Sequence, residues 1–232
     1  RRQRQMCIRD SIWSGVLICI IAVLAIPSSR EVFMEATGAH PYIGGFLKFA
    51  VLATMGDLLG ARILYKDWKI PVGVFYRAIV WGIIGVVTTY GMSIYSSGVG
   101  QAQVDGMLPF EGIAFANALF KSATMNILMS PTVFLFHKVM DCFIDKKYEV
   151  GKGIKVKLKD VVNIVDWNAY LGFSVLKTIP FFWIPCHTIV FLMPPQYRVI
   201  ASAFLSIALG LMMAIAKKSQ KTTSENQEVL EQ

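Results

Sequence analysis

The sequence predicts an all-α, polytopic membrane bundle of about six spans, one of them kinked by proline. Three observations predict it. Hydrophobic residues make up 55% of the 232-residue chain and charged residues only 16%, whereas soluble domains are about a quarter charged. The apolar residues fall in long runs of the length a bilayer requires. Lys and Arg gather in alternate connections between those runs, as they do around membrane spans.

The first expected span covers residues 11–26. Arg1, Arg2, Arg4 and Arg9 precede its apolar part, an arrangement shared with signal peptides. Its end, Ile26-Pro27-Ser28-Ser29, offers no small-x-small cleavage site, so an anchored helix is expected. The second span covers residues 41–64, where Gly56-x-x-x-Gly60 has the spacing that lets two helices approach closely in lipid. The third covers residues 71–95, with Gly82, Gly85 and Gly91 suited to the same kind of contact. Residues 96–111 are glycine-rich and read as an ordered loop or a short re-entrant piece.

Residues 112–143 exceed what one crossing needs and contain Lys121 and Pro131; one kinked span and a span with an interfacial turn both fit. A lysine-rich loop follows over residues 145–159. The fifth span, residues 168–193, holds Lys177, Pro180 and Pro185, and the sixth covers residues 199–216. Residues 1–216 form one helical membrane domain on this reading, and residues 217–232 a polar, disordered tail. The lysine- and arginine-rich connections put both termini on the cytoplasm-like side.

The net charge of +8 would raise nucleic acid as a partner in a soluble protein. Here the basic residues sit at span ends, so nucleic acid is excluded and the lipid bilayer is the expected partner, with further copies of the chain compatible. Cys7, Cys19, Cys142 and Cys186 lack metal or redox spacing. No phosphate loop, zinc pair, nucleophile elbow or paired-acid motif is present. No enzyme activity, metal or cofactor is expected.

What remains is a set of charges inside apolar runs: Lys48, Asp57, Arg77, Lys121 and Lys177. Such residues are costly in a bilayer and mark functional or structural pairs. Lys48 can snorkel to the headgroups. Asp57 and Arg77 lie at similar depth from the same side, about 10 Å, and are expected to form a buried ion pair. Lys121 and Lys177 fall about 14 Å deep, near the bilayer middle. On an ideal helix Lys177, Ile184 and Thr188 share a face. Lys121, Lys177, Thr188 and His187 are therefore the candidate lining of an anion-preferring pathway; the alternative is that the lysines only help to fold the bundle. His187 shares a face with Trp183 and Phe191, which equally fits a packed histidine. Pro180 and Pro185 are expected to bend the chain between Lys177 and Thr188 toward the bundle interior, with Thr178, Thr188 and His187 placed to satisfy the freed carbonyls.

Trp183, Pro185, Phe191, Pro195, Tyr197 and Arg198 resemble the carboxyl-terminal signature of the Mpv-seventeen / peroxisomal membrane protein (twenty-two kilodalton) family, a Trp-Pro pair, then Asn-Phe, then Pro and Arg. Gly56-Asp57 resembles that family's Gly-Asp near the end of an early span. Ile184 separates the Trp from the Pro, Val190 stands in place of the Asn, the aromatic-rich ending becomes Phe204-Leu205-Ser206, and residues 168–180 read as an insertion. The resemblance implies a distant, bacterial member. It also implies a small multi-pass protein of a bacterial plasma membrane or of a mitochondrial inner or peroxisomal membrane, forming a channel or carrier for small solutes. The alternative function is a non-transporting scaffold or homeostasis protein.

Overall fold

The computed structural model describes the backbone of residues 2–151 and 153–230 and the side chains of residues 3–151 and 153–212. Among the described residues there is no strand. The helices are α1 (Arg2–Ala25), α2 (Pro27–Ala39), α3 (Pro41–Tyr65), α4 (Val74–Val104), α5 (Ala114–Leu128), α6 (Ser130–Val150), α7 (Leu158–Val162), a π-helix (Ala169–Trp183), α8 (Ile184–Leu192) and α9 (Pro195–Leu230). Among the described residues five spans are long and apolar enough to cross a bilayer, and α5 with α6, bent by 42° at their junction, supplies a sixth. The chain is an all-α bundle of a multi-pass membrane protein.

Helix boundaries follow the punctuation of the sequence. Pro27, Pro41, Pro131, Pro185 and Pro195 each stand in the first turn of a helix, where the missing N–H would have had no partner. The long fourth apolar region resolves into α5 and α6, which meet at Met129 just before Pro131. Two expected loops are instead helix. α4 continues through residues 96–104, because the glycines there are mixed with Ser, Gln and Val and no proline stops it. α6 runs to Val150, beyond the expected end at Phe143. α9 continues past Lys217, where the sequence predicts the polar tail; side chains beyond Met212 lie outside the described residues.

α3 is the central helix. Against α4, Gly45 and Gly85 bring the two backbones into contact: a side chain on Gly85 would run into the Gly45 carbonyl and stand 2.7 Å from Phe49 Cβ. Against α9, a methyl group on Gly56 would lie 2.8 Å from the Ser206 carbonyl, and one on Gly210 would lie 2.6 Å from the Gly56 carbonyl. Without a hydrophobic driving force between helices in lipid, such close approach is what dispersion needs. The Gly56–Ser206 and Gly60–Gly210 contacts run in the same sense along both chains, so α3 and α9 are parallel. Gly45–Gly85 and the Asp57–Trp81 bond run in opposite senses, so α3 and α4 are antiparallel. Phe49, Leu52, Ala53, Val80, Ile84, Ile200 and Ala203 fill the core along these seams.

The remaining wall is built differently. The fifth span is continuous over Ala169–Leu192. It is wound as a π-helix up to Trp183 and as an α-helix from Ile184, with the Ile184 N–H donating to the Ile179 carbonyl. Pro180 and Pro185, which cannot donate, flank the change of winding. The prolines thus flank a widened turn, and among the described residues the broken span, bent by 42°, is α5–α6. Thr178 donates to the Ser174 carbonyl, and Thr188 and Ser122 both donate to the Ile184 carbonyl. These hydroxyl groups bond carbonyls beside the change of winding, on Ser174 and Ile184, and not the carbonyls that Pro180 and Pro185 leave without an N–H.

Candidate functional site

Between the glycine seams and the π-helix wall lies a cavity of about 430 Å³. Its position along the helices can be read from its lining. Trp81 and Thr88 on α4, and His137 and Ser130 on α6, both line it. Each pair is seven residues apart, so the cavity has two polar layers about 10 Å apart. Phe49, Ile84, Val133 and Phe134 supply the apolar surface of the same cavity.

The lower layer, nearer the α3–α4 connection, is ionisable. Asp57 Oδ2 accepts from Trp81 Nε1 at 2.7 Å. The Trp81 and His137 rings lie 4.1 Å apart, and His137 Nε2 is 3.7 Å from Asp141 Oδ2. Arg77, one turn from Trp81, contacts Asp141 at 2.7 Å and Asp145 at 2.5 Å. The expected Asp57–Arg77 pair is therefore not formed. α6 brings two carboxylates to the guanidinium, while Asp57 stands one turn deeper, opposite Trp81. Asp57 is accessible through the cavity although it lies two turns inside α3, and among the described residues it has no ion-pair partner. Lys138 lines the same cavity without an ion pair to either carboxylate.

The upper layer is neutral and buried. Ser122, Asn126 and Ser130 form a ladder at four-residue spacing, and Ser130 donates to Asn126 Oδ1 at 2.9 Å. His187 Nδ1 lies 3.0 Å from Asn126 Nδ2 and 3.1 Å from Oδ1, so the amide serves either imidazole tautomer. The Trp183 ring stacks on His187 with centroids 5.3 Å apart. Three cavity-lining side chains carry a buried polar atom with neither a hydrogen bond nor an ion pair: Trp183 Nε1, His187 Nε2 and Ser202 Oγ. Trp183, His187 and Ser202 are 8%, 6% and 1% exposed. Buried polar groups are nearly always partnered, so their convergence on one cavity distinguishes it from a packing defect.

Of the residues expected to line a pathway, His187 does so. Lys121 and Lys177 line neither this cavity nor a second one, and Lys177 points outward. Thr188 is buried, with its hydroxyl committed to its own helix. Neither of these two cavities brings the two lysines together. The spacing argument assumed α-helical winding, and the wider π-turn between residues 169 and 183 changes which residues share a face. The second cavity, about 340 Å³, lies at the far ends of α3 and α4, where Lys48 and Arg198 line it. Lys48 Nζ stands 5.2 Å above the Phe33 ring.

The signature residues have local tasks. Arg198 donates to the Phe191 and Met193 carbonyls and to Ser96 Oγ, closing the C-terminal end of α8, where a cation also complements the helix dipole. Pro195 opens α9, Pro185 opens α8, and Phe191 is buried under the guanidinium. No family model, curated protein or solved structure matches this chain. Among the described residues no three His, Cys, Asp or Glu side chains come together to hold a metal ion.

Trp81, His137, Asp141, Asn126 and Ser202 are site residues that reading the sequence missed. His137-x-x-x-Asp141-x-x-x-Asp145 and Ser122-x-x-x-Asn126-x-x-x-Ser130 both have helical spacing. They were the available signals, since polar residues repeated every four positions in an apolar run mark one inward face.

Proposed function

We propose that this membrane protein moves small solutes across its bilayer through the cavity between α3, α4, α6, the π-helix and α9. The observation that carries this reading is that Trp183, His187 and Ser202, each with a buried polar atom lacking a partner, line one cavity inside the bundle. A scaffold gains nothing from leaving such groups unsatisfied, since each costs about 1–3 kcal/mol. A passing solute can satisfy them. Resemblance of Trp183, Pro185, Phe191, Pro195 and Arg198 to the Mpv-seventeen signature supports the same reading, and on that ground we place the chain among distant members of that family.

Cys142 lines the cavity and supplies the test. In proteoliposomes, a variant retaining Cys142 alone among its cysteines is expected to pass small labelled solutes and to lose that flux on reaction with a maleimide. The cysteine-free variant should conduct and ignore the reagent. Absence of flux from the intact protein, with a second protein retained through purification, would favour the scaffold.

A further inference from the structure

We infer that the cavity is a binding site for an elongated organic cation, whose ammonium group seats at Asp57 and whose far end carries a neutral hydrogen-bonding group that meets Trp183, His187 and Ser202. This deepens the transport reading by naming the solute class.

The lower end calls for positive charge. Asp57 is a carboxylate inside the bundle with one neutral donor, the Trp81 indole, at 2.7 Å. The nearby arginine is committed elsewhere, with Arg77 contacting Asp141 and Asp145. An ionised carboxylate in a bundle interior is costly unless paired. The aromatic rings of Phe49, Trp81 and Phe134 also line the cavity, and ring faces attract ammonium groups.

The upper end calls for a neutral partner. Trp183 Nε1 can only donate, while the Ser202 hydroxyl and His187 Nε2 can donate or accept according to rotor and tautomer. No lysine or arginine lines this layer among the described residues, since Lys138 directly follows His137 in the lower layer. An anion held there would be desolvated without a counter-charge. A hydroxyl or carbonyl group can be met by all three side chains at no such cost. Between the ends, Ile84, Val133 and Phe134 face the middle of the ligand. A volume of about 430 Å³ lies within the range of small-molecule pockets.

Three probes with one aromatic body separate these demands. Tyramine carries an ammonium and a hydroxyl, phenethylamine only the ammonium, and para-hydroxyphenylpropionate a carboxylate with the hydroxyl. Binding to the purified protein in detergent is read by calorimetry and by quenching of indole fluorescence, since Trp81 and Trp183 both line the site. Tyramine is expected to bind saturably and phenethylamine more weakly, with the carboxylate failing to compete. Asp57→Asn keeps an acceptor for Trp81 and should weaken tyramine by about tenfold or more. Ser202→Ala should narrow the difference between tyramine and phenethylamine while leaving phenethylamine unchanged. Stronger binding of the carboxylate than of tyramine, an Asp57→Asn variant that binds tyramine undiminished, or no saturable binding of any amine would overturn the inference. Solute flux without amine binding would sink the cation site and leave the transport reading standing. Amine binding that follows the pattern above without flux would do the reverse.

Discussion

Two regions of the bundle solve the same problem in opposite ways. Where α3 meets α4 and α9, glycines remove side chains and backbones touch. Where α5, α6 and the fifth span meet, prolines interrupt the helices and hydroxyl and amide groups bond across and along them. The first region has no space to give. The second keeps a cavity and polar atoms without partners. The comparison teaches that the site depends on the contrast: a close-packed wall holds Asp57 and Trp81 in place, and an irregular wall supplies the groups that face them.

The contrast breaks most severely at Gly85. Valine there would collide with the Gly45 carbonyl and with Phe49, and backbone on the opposing helix cannot move aside as a flexible side chain can. The cost is expected at or above the upper end of the roughly 1–3 kcal/mol range for overpacking, read as a lower midpoint for unfolding in a mixed-micelle titration. Valine at Gly98, where nothing lies within 4 Å, is the control and should leave that midpoint in place. Equal losses at both positions would remove the distinction between the two regions.

In the irregular wall the sensitivity is to partners, with volume secondary. Asn126 is fully buried and bonds to Ser122, Ser130 and His187. Asn126→Ala should cost about 1–2 kcal/mol, since hydrogen bonds between membrane helices are individually modest and the His187 ring loses its anchor. The same titration checks it. A further readout is specific to the site: with His187 no longer oriented, indole quenching by tyramine should weaken even in detergent where the fold is retained.

The architecture was legible in composition and in the length of apolar runs, because a bilayer constrains both strongly. Gly56-x-x-x-Gly60 marked a close helix contact, and the structure supplies α9 as its partner. The site was less legible. Asp57 was visible as a charge in an apolar run, but its partner was assigned by depth alone, and depth cannot say which helix faces it. Arg77 goes to Asp141, inside the expected fourth region, and to Asp145, which α6 carries as helix one turn further along the same face. The lysines lie off the lining of both cavities, and the winding of the fifth span changes which residues share a face with Lys177. Two prolines in the fifth span were legible, but whether they produce a bend or a π-turn depends on which hydroxyl groups the neighbouring helix presents.

The smallest expected effect is at those lysines. Lys177 lies outside both cavities and points outward, and Lys121 sits half-buried on α5 away from the lining. If the two cations do not line the pathway, replacing both by glutamine removes charge from the bundle surface only. Stability should change by no more than about 0.5 kcal/mol, as for surface substitutions elsewhere. Reversal potentials in a salt gradient should then match those of the intact protein, and tyramine affinity should be unchanged. Asp57→Asn in the same assay should shift the reversal potential away from cation preference, because it removes the one lining carboxylate without an ion pair. A double lysine variant that shifts selectivity while Asp57→Asn does not would restore the lysine pathway and place the functional face of the fifth span where α-helical winding puts it.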